Sequence, residues 1–153
     1  PRPNEVNGVD YYFVSLEKFE SLINENKLYE YAKIFDNYYG TSKDIVHNLI
    51  KSNDIIFDID WQGNKQLSKY KNLNLVKIFI TTKDKEELKR RLTKRNQDSD
   101  EEVKKRLKSY EEDIKYWDDY DYIVINDDLE NCFKQIEKII LFHKKPNIVP
   151  RTI

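Results

Sequence analysis

Three short apolar runs rich in β-branched residues constrain the fold of this chain more than any other feature of its sequence. They are Ile55-Ile56-Phe57, Val76-Lys77-Ile78-Phe79-Ile80 and Tyr122-Ile123-Val124-Ile125, and helical stretches separate them. Short runs of this kind are typical of parallel strands that are buried on both faces. The chain is therefore predicted to be α/β, with a parallel sheet flanked by helices.

Helix starts and apolar helix faces support this prediction. Three pairs have the spacing of a capping box, in which a side chain caps a helix and a glutamate follows three positions later: Asp84 with Glu87, Ser99 with Glu102, and Asp127 with Glu130. Two helical stretches carry apolar faces that we expect to lie in the core: Val103, Leu107, Tyr110, Ile114 and Trp117 in one, and Leu129, Cys132, Phe133, Ile136, Ile139 and Ile140 in the other.

The first fifty residues have a different pattern. Asn7-Gly8, followed by the apolar run 9–14, predicts a small β ribbon, because both residues tolerate a positive φ. Ser15 is positioned to cap a helix, and a second helix is capped from Thr41 or Ser42. Between these helices an alternating stretch places Leu28, Glu30, Ala32 and Ile34 on one face of a strand.

Charge and cysteine content exclude several classes of protein. The net charge is −1, which gives no overall attraction to a polyanion, so a nucleic-acid coat protein is not expected. A single cysteine, Cys132, allows no disulfide framework, and no apolar run reaches the ~18 residues of a membrane span. We expect one compact domain in a reducing cytoplasm, with no membrane and no nucleic-acid partner.

Polar residues follow each predicted strand, where ligands bind in open parallel sheets. They are Asp58 and Asp60, then Thr81-Thr82, then Asn126-Asp127-Asp128. Helix capping is the favoured explanation for Thr82 and Asp127. Asp58 stands inside the predicted strand, and an apolar run closed by an acid is the pattern of a Walker-B strand that helps to hold Mg²⁺.

Glu30 is a carboxylate on an apolar strand face, where it needs donors or a cation. Guanine offers N1–H and N2–H₂ side by side and matches one carboxylate, whereas adenine has no such donor pair on that edge. An edge position that reaches solvent is the alternative for Glu30.

The chain has six arginines among 27 basic residues, and three of them border the apolar stripes of two consecutive helices: Arg91, Arg95 and Arg106. One interpretation is a clamp for phosphates, and helix salt bridges with Glu87, Glu102 or Asp113 are the alternative of equal weight. Arg90 lies opposite the stripe and is predicted to be solvated.

In combination these stretches resemble guanylate kinase, the P-loop kinase family that moves the γ-phosphoryl group of ATP onto GMP. The resemblance runs from Arg2 to about His143. It rests on Arg2-Pro3-x-Glu5-x-x-Gly8-x-Asp10-Tyr11-x-Phe13, Glu30, Asn37-Tyr38-Tyr39-Gly40-Thr41-Ser42, Asp58-Ile59-Asp60-Trp61-Gln62-Gly63, Arg91-x-x-x-Arg95, Arg106 and Asn126-Asp127-Asp128-Leu129.

The resemblance implies a role for each of these positions. Arg2, Tyr11 and Tyr39 are expected to hold the GMP phosphate, with Glu5 in the same subdomain, and Glu30, Thr41 and Asp60 are expected to contact guanine. The resemblance assigns Arg91, Arg95 and Arg106 to the triphosphate and the transferring group, Asn126 to the vicinity of adenine, and Asp58 to the Walker-B acid that serves Mg²⁺.

The resemblance also implies an arrangement of the domain, which would extend over residues 1–145. Residues 1–52 would bind GMP or dGMP, 54–81 and 120–143 would form the core, 83–118 the lid and following helix, and 146–153 a tail. The protein would be a monomer or homodimer. A catalytically inactive guanylate-kinase-like interaction module is the alternative.

One element of the family is missing from these 153 residues. The sequence has no methionine and no G-x-x-x-x-G-K-[ST] motif. We expect the family's first strand, P-loop and first helix to lie upstream of Pro1, and residues 1–153 alone to catalyse poorly.

Overall fold

The computed structural model describes residues 1, 4–95 and 99–144. The chain divides into two compact units, Pro1–Lys71 and Asn72–Ile153. Among the described residues, no helix has both the length and the apolar character needed to cross a membrane. The predictions for Arg2 and for the tail at 146–153 lie outside the described residues.

In the first unit, the part of the chain that the structure describes forms a two-stranded sheet with three helices. Its elements are α1 (Leu16–Asn24), β1 (Leu28–Ile34), β2 (Asn37–Ser42), α2 (Lys43–Leu49) and α3 (Trp61–Leu67). Strands β1 and β2 are antiparallel, with Glu30 opposite Thr41. The predicted caps are confirmed, because the Ser15 side chain accepts a hydrogen bond from the Lys18 amide and Ser42 caps α2.

The core of the first unit is built around β1. Its buried apolar side chains are Leu28, Tyr29, Ala32, Val46 and Leu67. The alternation predicted for β1 is confirmed at Leu28, Glu30 and Ala32, which are buried, while Tyr31 and Lys33 are exposed. Tyr29 is also buried: its hydroxyl shares a hydrogen bond of 2.9 Å with His47 Nε2, and its ring packs edge to face against Tyr70.

Two predictions for the first unit are wrong. Residues 4–14 contain a turn instead of a ribbon: the Val6 carbonyl accepts hydrogen bonds from the Val9 and Asp10 amides, and Asp10 Oδ2 accepts one from the Val6 amide. Ile55-Ile56-Phe57 is not a strand, and Ile56 is 83 % exposed. A strand is held by hydrogen-bonded neighbours, and the described residues place none beside this run.

The described residues of the second unit, 72–95 and 99–144, form a parallel pair of strands and three α-helices. Its elements are β3 (Ile78–Thr81), α4 (Lys85–Arg95), α5 (Asp100–Asp113), a 3₁₀ helix (Ile114–Asp119), β4 (Tyr122–Ile125) and α6 (Leu129–Lys144). β3 pairs with β4 in parallel, as predicted, with Ile78 opposite Tyr122. The α/β fold class is confirmed.

Caps in the second unit are confirmed at two of the three predicted positions. Ser99 and Glu102 form the full capping box of α5, and Asp84 Oδ1 accepts a hydrogen bond from the Glu87 amide at the start of α4. At α6 the prediction is off by one residue, because Asp128, not Asp127, accepts the hydrogen bond from the Asn131 amide.

The apolar faces of the last two helical stretches are covered less than predicted. Cys132 is buried at 4 % exposure, but Phe133 is 63 % exposed and Trp117 is 52 % exposed. The hydrophobic period identifies which side of a helix is apolar, but neighbouring elements decide how much of that side is covered.

Candidate functional site

A buried carboxylate lies at the centre of the first unit. Glu30 on β1 is only 4 % exposed, and the hydroxyl of Thr41, directly opposite on β2, donates a hydrogen bond of 2.6 Å to Glu30 Oε1. Antiparallel pairing brings these two predicted residues together. The solvent-reaching edge position proposed as an alternative for Glu30 is therefore excluded.

Asp60 is the third member of a cluster with Glu30 and Thr41, and it lies directly before α3. Its Oδ1 accepts hydrogen bonds from the Gln62 and Gly63 amides at 2.9 and 3.1 Å, and its Oδ2 accepts one of 2.8 Å from Gln62 Nε2. An ionised carboxylate offers about four acceptor positions. Asp60 is therefore a helix cap that retains capacity for a further donor.

Burial raises the pKa of the Glu30 carboxyl above its usual value, and the negative charge of Asp60 raises it further. The hydrogen bond from the Thr41 hydroxyl and one from the Thr41 backbone act in the opposite direction. A buried acid whose surroundings disfavour its charge gains from additional donors. The cluster is therefore suited to a ligand that presents adjacent N–H groups.

Two further predicted site residues, Tyr11 and Tyr39, contact each other. The rings of Tyr11 and Tyr39 pack edge to face, with centroids 5.8 Å apart. Tyr39 lies two residues before Thr41 on β2, so both side chains are on the same face of that strand. Glu5 is half-buried in the segment that leads to the turn before Tyr11.

The second unit holds the predicted arginines. Arg91 on α4 donates from Nε to Glu87 Oε1 at 2.6 Å and from Nη2 to the Asp127 carbonyl at 2.9 Å. Arg90 also pairs with Glu87, through two hydrogen bonds of 2.7 Å. Hydrogen bonds from Arg90 and Arg91 lower the pKa of Glu87 to about 2.

Arg90 is exposed to solvent, as predicted, and it also forms an ion pair with Glu87 that was not expected for it. Its side chain is 62 % exposed, but Glu87 lies three residues before Arg90 and four before Arg91, so one carboxylate reaches both. Arg95 is exposed near the end of α4, and Arg106 is half-buried on α5, which contacts α4.

The predicted residue Asn126 lies directly after β4, where its backbone amide donates a hydrogen bond of 2.7 Å to the Thr81 carbonyl. Beside it are two open grooves, each of about 430 Å³, and both are lined by Lys83 and Asp127. Arg91 lines one of the two grooves. Lys83 was not predicted from the sequence, although it follows β3 closely and so belongs to the polar edge of the parallel pair.

Asp58 is exposed in the segment without regular secondary structure before α3, whereas the sequence predicted it within a strand. Within residues 4–95 and 99–144, no group of three or more His, Cys, Asp or Glu side chains is placed to hold a metal ion.

Comparison with known proteins decides which family these features indicate. The family model described as guanylate kinase matches residues 1–143. The chain belongs to the guanylate kinase family. The resemblance found from the motifs is thereby confirmed over the same stretch of sequence.

Curated members of the guanylate kinase family are similar over most of the chain. The chain is 43 % identical over 141 residues to a guanylate kinase of Paramagnetospirillum magneticum and 44 % identical over 140 residues to one of Zymomonas mobilis. These matches cover 92 % and 91 % of the chain, which spans 66 % and 65 % of the lengths of the two relatives.

A solved member of the guanylate kinase family has the same fold. The crystal structure of guanylate kinase from Anaplasma phagocytophilum matches with a TM-score of 0.78 and 31 % sequence identity, covering 96 % of this chain and 72 % of that one. This match supports the predicted assignment to an α/β kinase fold.

Proposed function

We propose that the whole protein transfers the γ-phosphoryl group of ATP to GMP and dGMP, giving ADP and GDP or dGDP, in purine nucleotide metabolism. The observation that carries this proposal is the buried Glu30 carboxylate, hydrogen-bonded to Thr41 and close enough to Asp60 for the two charges to interact. Guanine N1–H and N2–H₂ would satisfy one carboxylate as a pair. Adenine lacks this donor pair, so AMP would leave the buried acid without compensation.

The phosphate of GMP would lie on the side of Tyr11 and Tyr39, whose paired rings bring two hydroxyl donors into one region. The family motif assigns Arg2 to the same phosphate and places Glu5 in the same subdomain. Residues 1–52 would thus form the GMP-binding subdomain of a domain that extends to residue 145.

The donor side would use Asn126 near adenine and three lid arginines on the phosphates: Arg91, Arg95 and Arg106. Two of the five N–H donors of Arg91 are held by Glu87 and the Asp127 carbonyl, which fixes the plane of the guanidinium and leaves donors for phosphate oxygens. Residues 83–118 would form the lid and the helix that follows it.

The reaction needs no covalent intermediate with the protein. Its rate would come from alignment of donor and acceptor and from neutralisation of charge on the transferring phosphoryl group. The arginines would therefore act mainly on kcat, because the charge that they neutralise develops only as the group moves.

Magnesium would accompany ATP, and the exposed carboxylate of Asp58 fits it. Mg²⁺ in nucleotide sites keeps several waters and takes one or two carboxylates together with phosphate oxygens, so it does not require a full protein cage. When bound, the ion would reduce the negative charge of the ATP phosphates.

The proposal includes a cytoplasmic location and a monomer or homodimer. One buried free cysteine, Cys132, fits a reducing compartment.

The test is a steady-state assay of the whole protein with ATP and Mg²⁺, in which ADP formation is followed with GMP, dGMP and AMP in turn. Rapid turnover of GMP and dGMP without turnover of AMP is expected. GMP binding without any turnover would instead indicate an interaction module, and turnover of AMP at the rate of GMP would refute the assignment of the base site.

A further inference from the structure

Two of the three glycines in the chain lie against Glu30. A Cβ atom added to Gly63 would be 2.8 Å from Glu30 Oε2 and 3.3 Å from Glu30 Cδ, and 3.0 Å from Ile59 Cβ. A Cβ atom added to Gly40 would be 2.9 Å from the backbone oxygen of Glu30. Gly63 thus faces the carboxylate of Glu30, and Gly40 faces its backbone.

Helix α3 is fixed on β1 by a second contact one turn further along. Gln66 Nε2 donates to the Tyr31 carbonyl at 2.7 Å, and the Tyr31 amide donates to Gln66 Oε1 at 3.2 Å. Gln66 therefore forms hydrogen bonds with both backbone groups, N–H and C=O, of Tyr31, the residue after Glu30. Asp60, Gly63 and Gln66 recur at intervals of three, so they lie on the face of α3 that meets β1.

This arrangement leaves little freedom for a side chain at position 63. With the helix held by Gln66, the atom that would yield to a new methyl group is the end of the Glu30 side chain, and Ile59 would shift by a few tenths of an ångström. A displaced carboxylate would lose the 2.6 Å geometry with the Thr41 hydroxyl.

Helix propensity does not explain the glycine. Gly63 lies inside α3, where glycine is less favourable than alanine. Its φ is not in the left-handed region, because the positive-φ glycine of the chain is Gly8. The close approach of the Glu30 carboxylate is thus the feature that requires a missing Cβ.

We propose that Gly63 is a positioning residue for base recognition: the absence of a side chain at this position sets the location of the Glu30 carboxylate and thereby the preference for guanine. The inference rests on the proposed function, since it concerns the same base site. Gly63 acts through Glu30 and does not itself contact the base.

The test is a double-mutant cycle between Gly63 and Glu30 in the whole protein, with GMP as the probe in isothermal titration calorimetry. Gly63→Ala should raise the Kd for GMP about tenfold, as expected for a lost or distorted buried hydrogen bond. In the Glu30→Asp background the carboxylate ends one methylene earlier, so adding Gly63→Ala should change the Kd less than about twofold.

Gly40→Ala is the matched control. Its Cβ would collide with a backbone oxygen that cannot rotate away, so it should lower the melting temperature to the same extent in the wild-type and Glu30→Asp backgrounds. Gly63→Ala should show its effect in GMP affinity and leave the KM for ATP unchanged.

Each outcome decides between the alternatives. Equal effects of Gly63→Ala in both backgrounds, a Kd within twofold of wild type, or failure to fold in both backgrounds would overturn the inference, because the collision would then not involve the carboxylate. Folding only in the Glu30→Asp background would support it. If the wild-type protein does not prefer GMP to AMP, the proposed function fails; if it does and Gly63→Ala binds GMP normally, only this inference fails.

Discussion

Replacing Glu30 with glutamine tests the base site with little change in side-chain shape, because the substitution preserves size and changes one acceptor oxygen into a donor. In the proposed complex the carboxylate accepts hydrogen bonds from both N1–H and N2–H₂ of guanine. Glutamine can accept only one of them, and its NH₂ group would face the other. A buried donor without a partner costs about 1–3 kcal/mol, and more when a charge is involved. The Kd for GMP should therefore rise by about 5- to 150-fold.

The same substitution should not weaken the unliganded protein, which separates binding from folding. Burial raises the pKa of Glu30 above its usual 4.5, so the folded state holds the proton more tightly than the unfolded state. Stability contributed by the neutral acid is then present below 4.5 and is lost as the pH rises through the folded pKa. Glutamine does not titrate and can still accept the Thr41 hydrogen bond, so at about pH 7 the variant should melt at or above the wild-type temperature.

The assay is calorimetric titration of GMP at neutral pH into the wild type and E30Q, together with thermal melts of both. A Kd for E30Q within twofold of wild type, with an unchanged melting temperature, would refute the reasoning and remove Glu30 from the base site. Loss of GMP binding that accompanies a large drop in melting temperature would show that Glu30 acts on the fold and not on the base.

Three further predictions follow from the hydrogen bonds of the two units. Alanine at Arg91, Arg95 or Arg106 should lower kcat by about 10²-fold or more with a smaller change in KM in steady-state kinetics. The control variant R90A should stay near wild type. An equal loss of kcat in R90A would contradict the assignment of helix faces. Asp60→Asn keeps an acceptor for the first amides of α3, so the melting temperature should not change. The Kd for GMP should rise about tenfold in calorimetric titration. A Kd equal to that of wild type would show that Asp60 acts only as a helix cap. Ser99→Ala removes the capping box of α5 and should cost about 1 kcal/mol in chemical denaturation without changing the Kd for GMP; a changed Kd would show that the cap affects the base site.

The sequence predicted those parts of the fold in which local pattern and tertiary pairing agree. Strand β4 has the predicted bounds, because its apolar run has a parallel partner in β3. Ile55-Ile56-Phe57 has a similar composition and is not a strand, since hydrogen-bonded neighbours and not composition make a strand. Apolar runs alone could not distinguish these two cases.

Turn residues predicted a hairpin at Asn7-Gly8 that does not form, and they did not predict the hairpin between β1 and β2. Asn7-Gly8 is a strong hairpin signal, yet Asp10 and the Val6 backbone close a local turn there. The hairpin that does form joins β1 to β2 through Phe35-Asp36, where Phe35 has a φ of 55°. A bulky residue in that region is uncommon, so the preference of positive φ for glycine or asparagine does not identify Phe35.

The structure brings Glu30 and Thr41 together, and both were predicted site residues. Glu30 was identified because an acid on an apolar strand face needs a partner, and Thr41 opposite it supplies one. Gln66 was not identified as a support, since helical position gives the direction of a side chain but not the partner that it reaches. Glu87 was identified only as a salt-bridge partner in the alternative interpretation of the arginines. One carboxylate, Glu87, reaches two arginines on the next turn.

The most direct test of the central claim, that Glu30, Thr41 and Asp60 recognise guanine, is a comparison of the Kd values of the whole protein for GMP, IMP and AMP by calorimetry without ATP. IMP keeps N1–H and lacks the 2-amino group, so one hydrogen bond to the carboxylate is lost, and AMP lacks the pair of donors. We predict that GMP binds most tightly, that IMP binds about tenfold more weakly, and that AMP binds most weakly of the three. AMP binding as tightly as GMP would contradict the account.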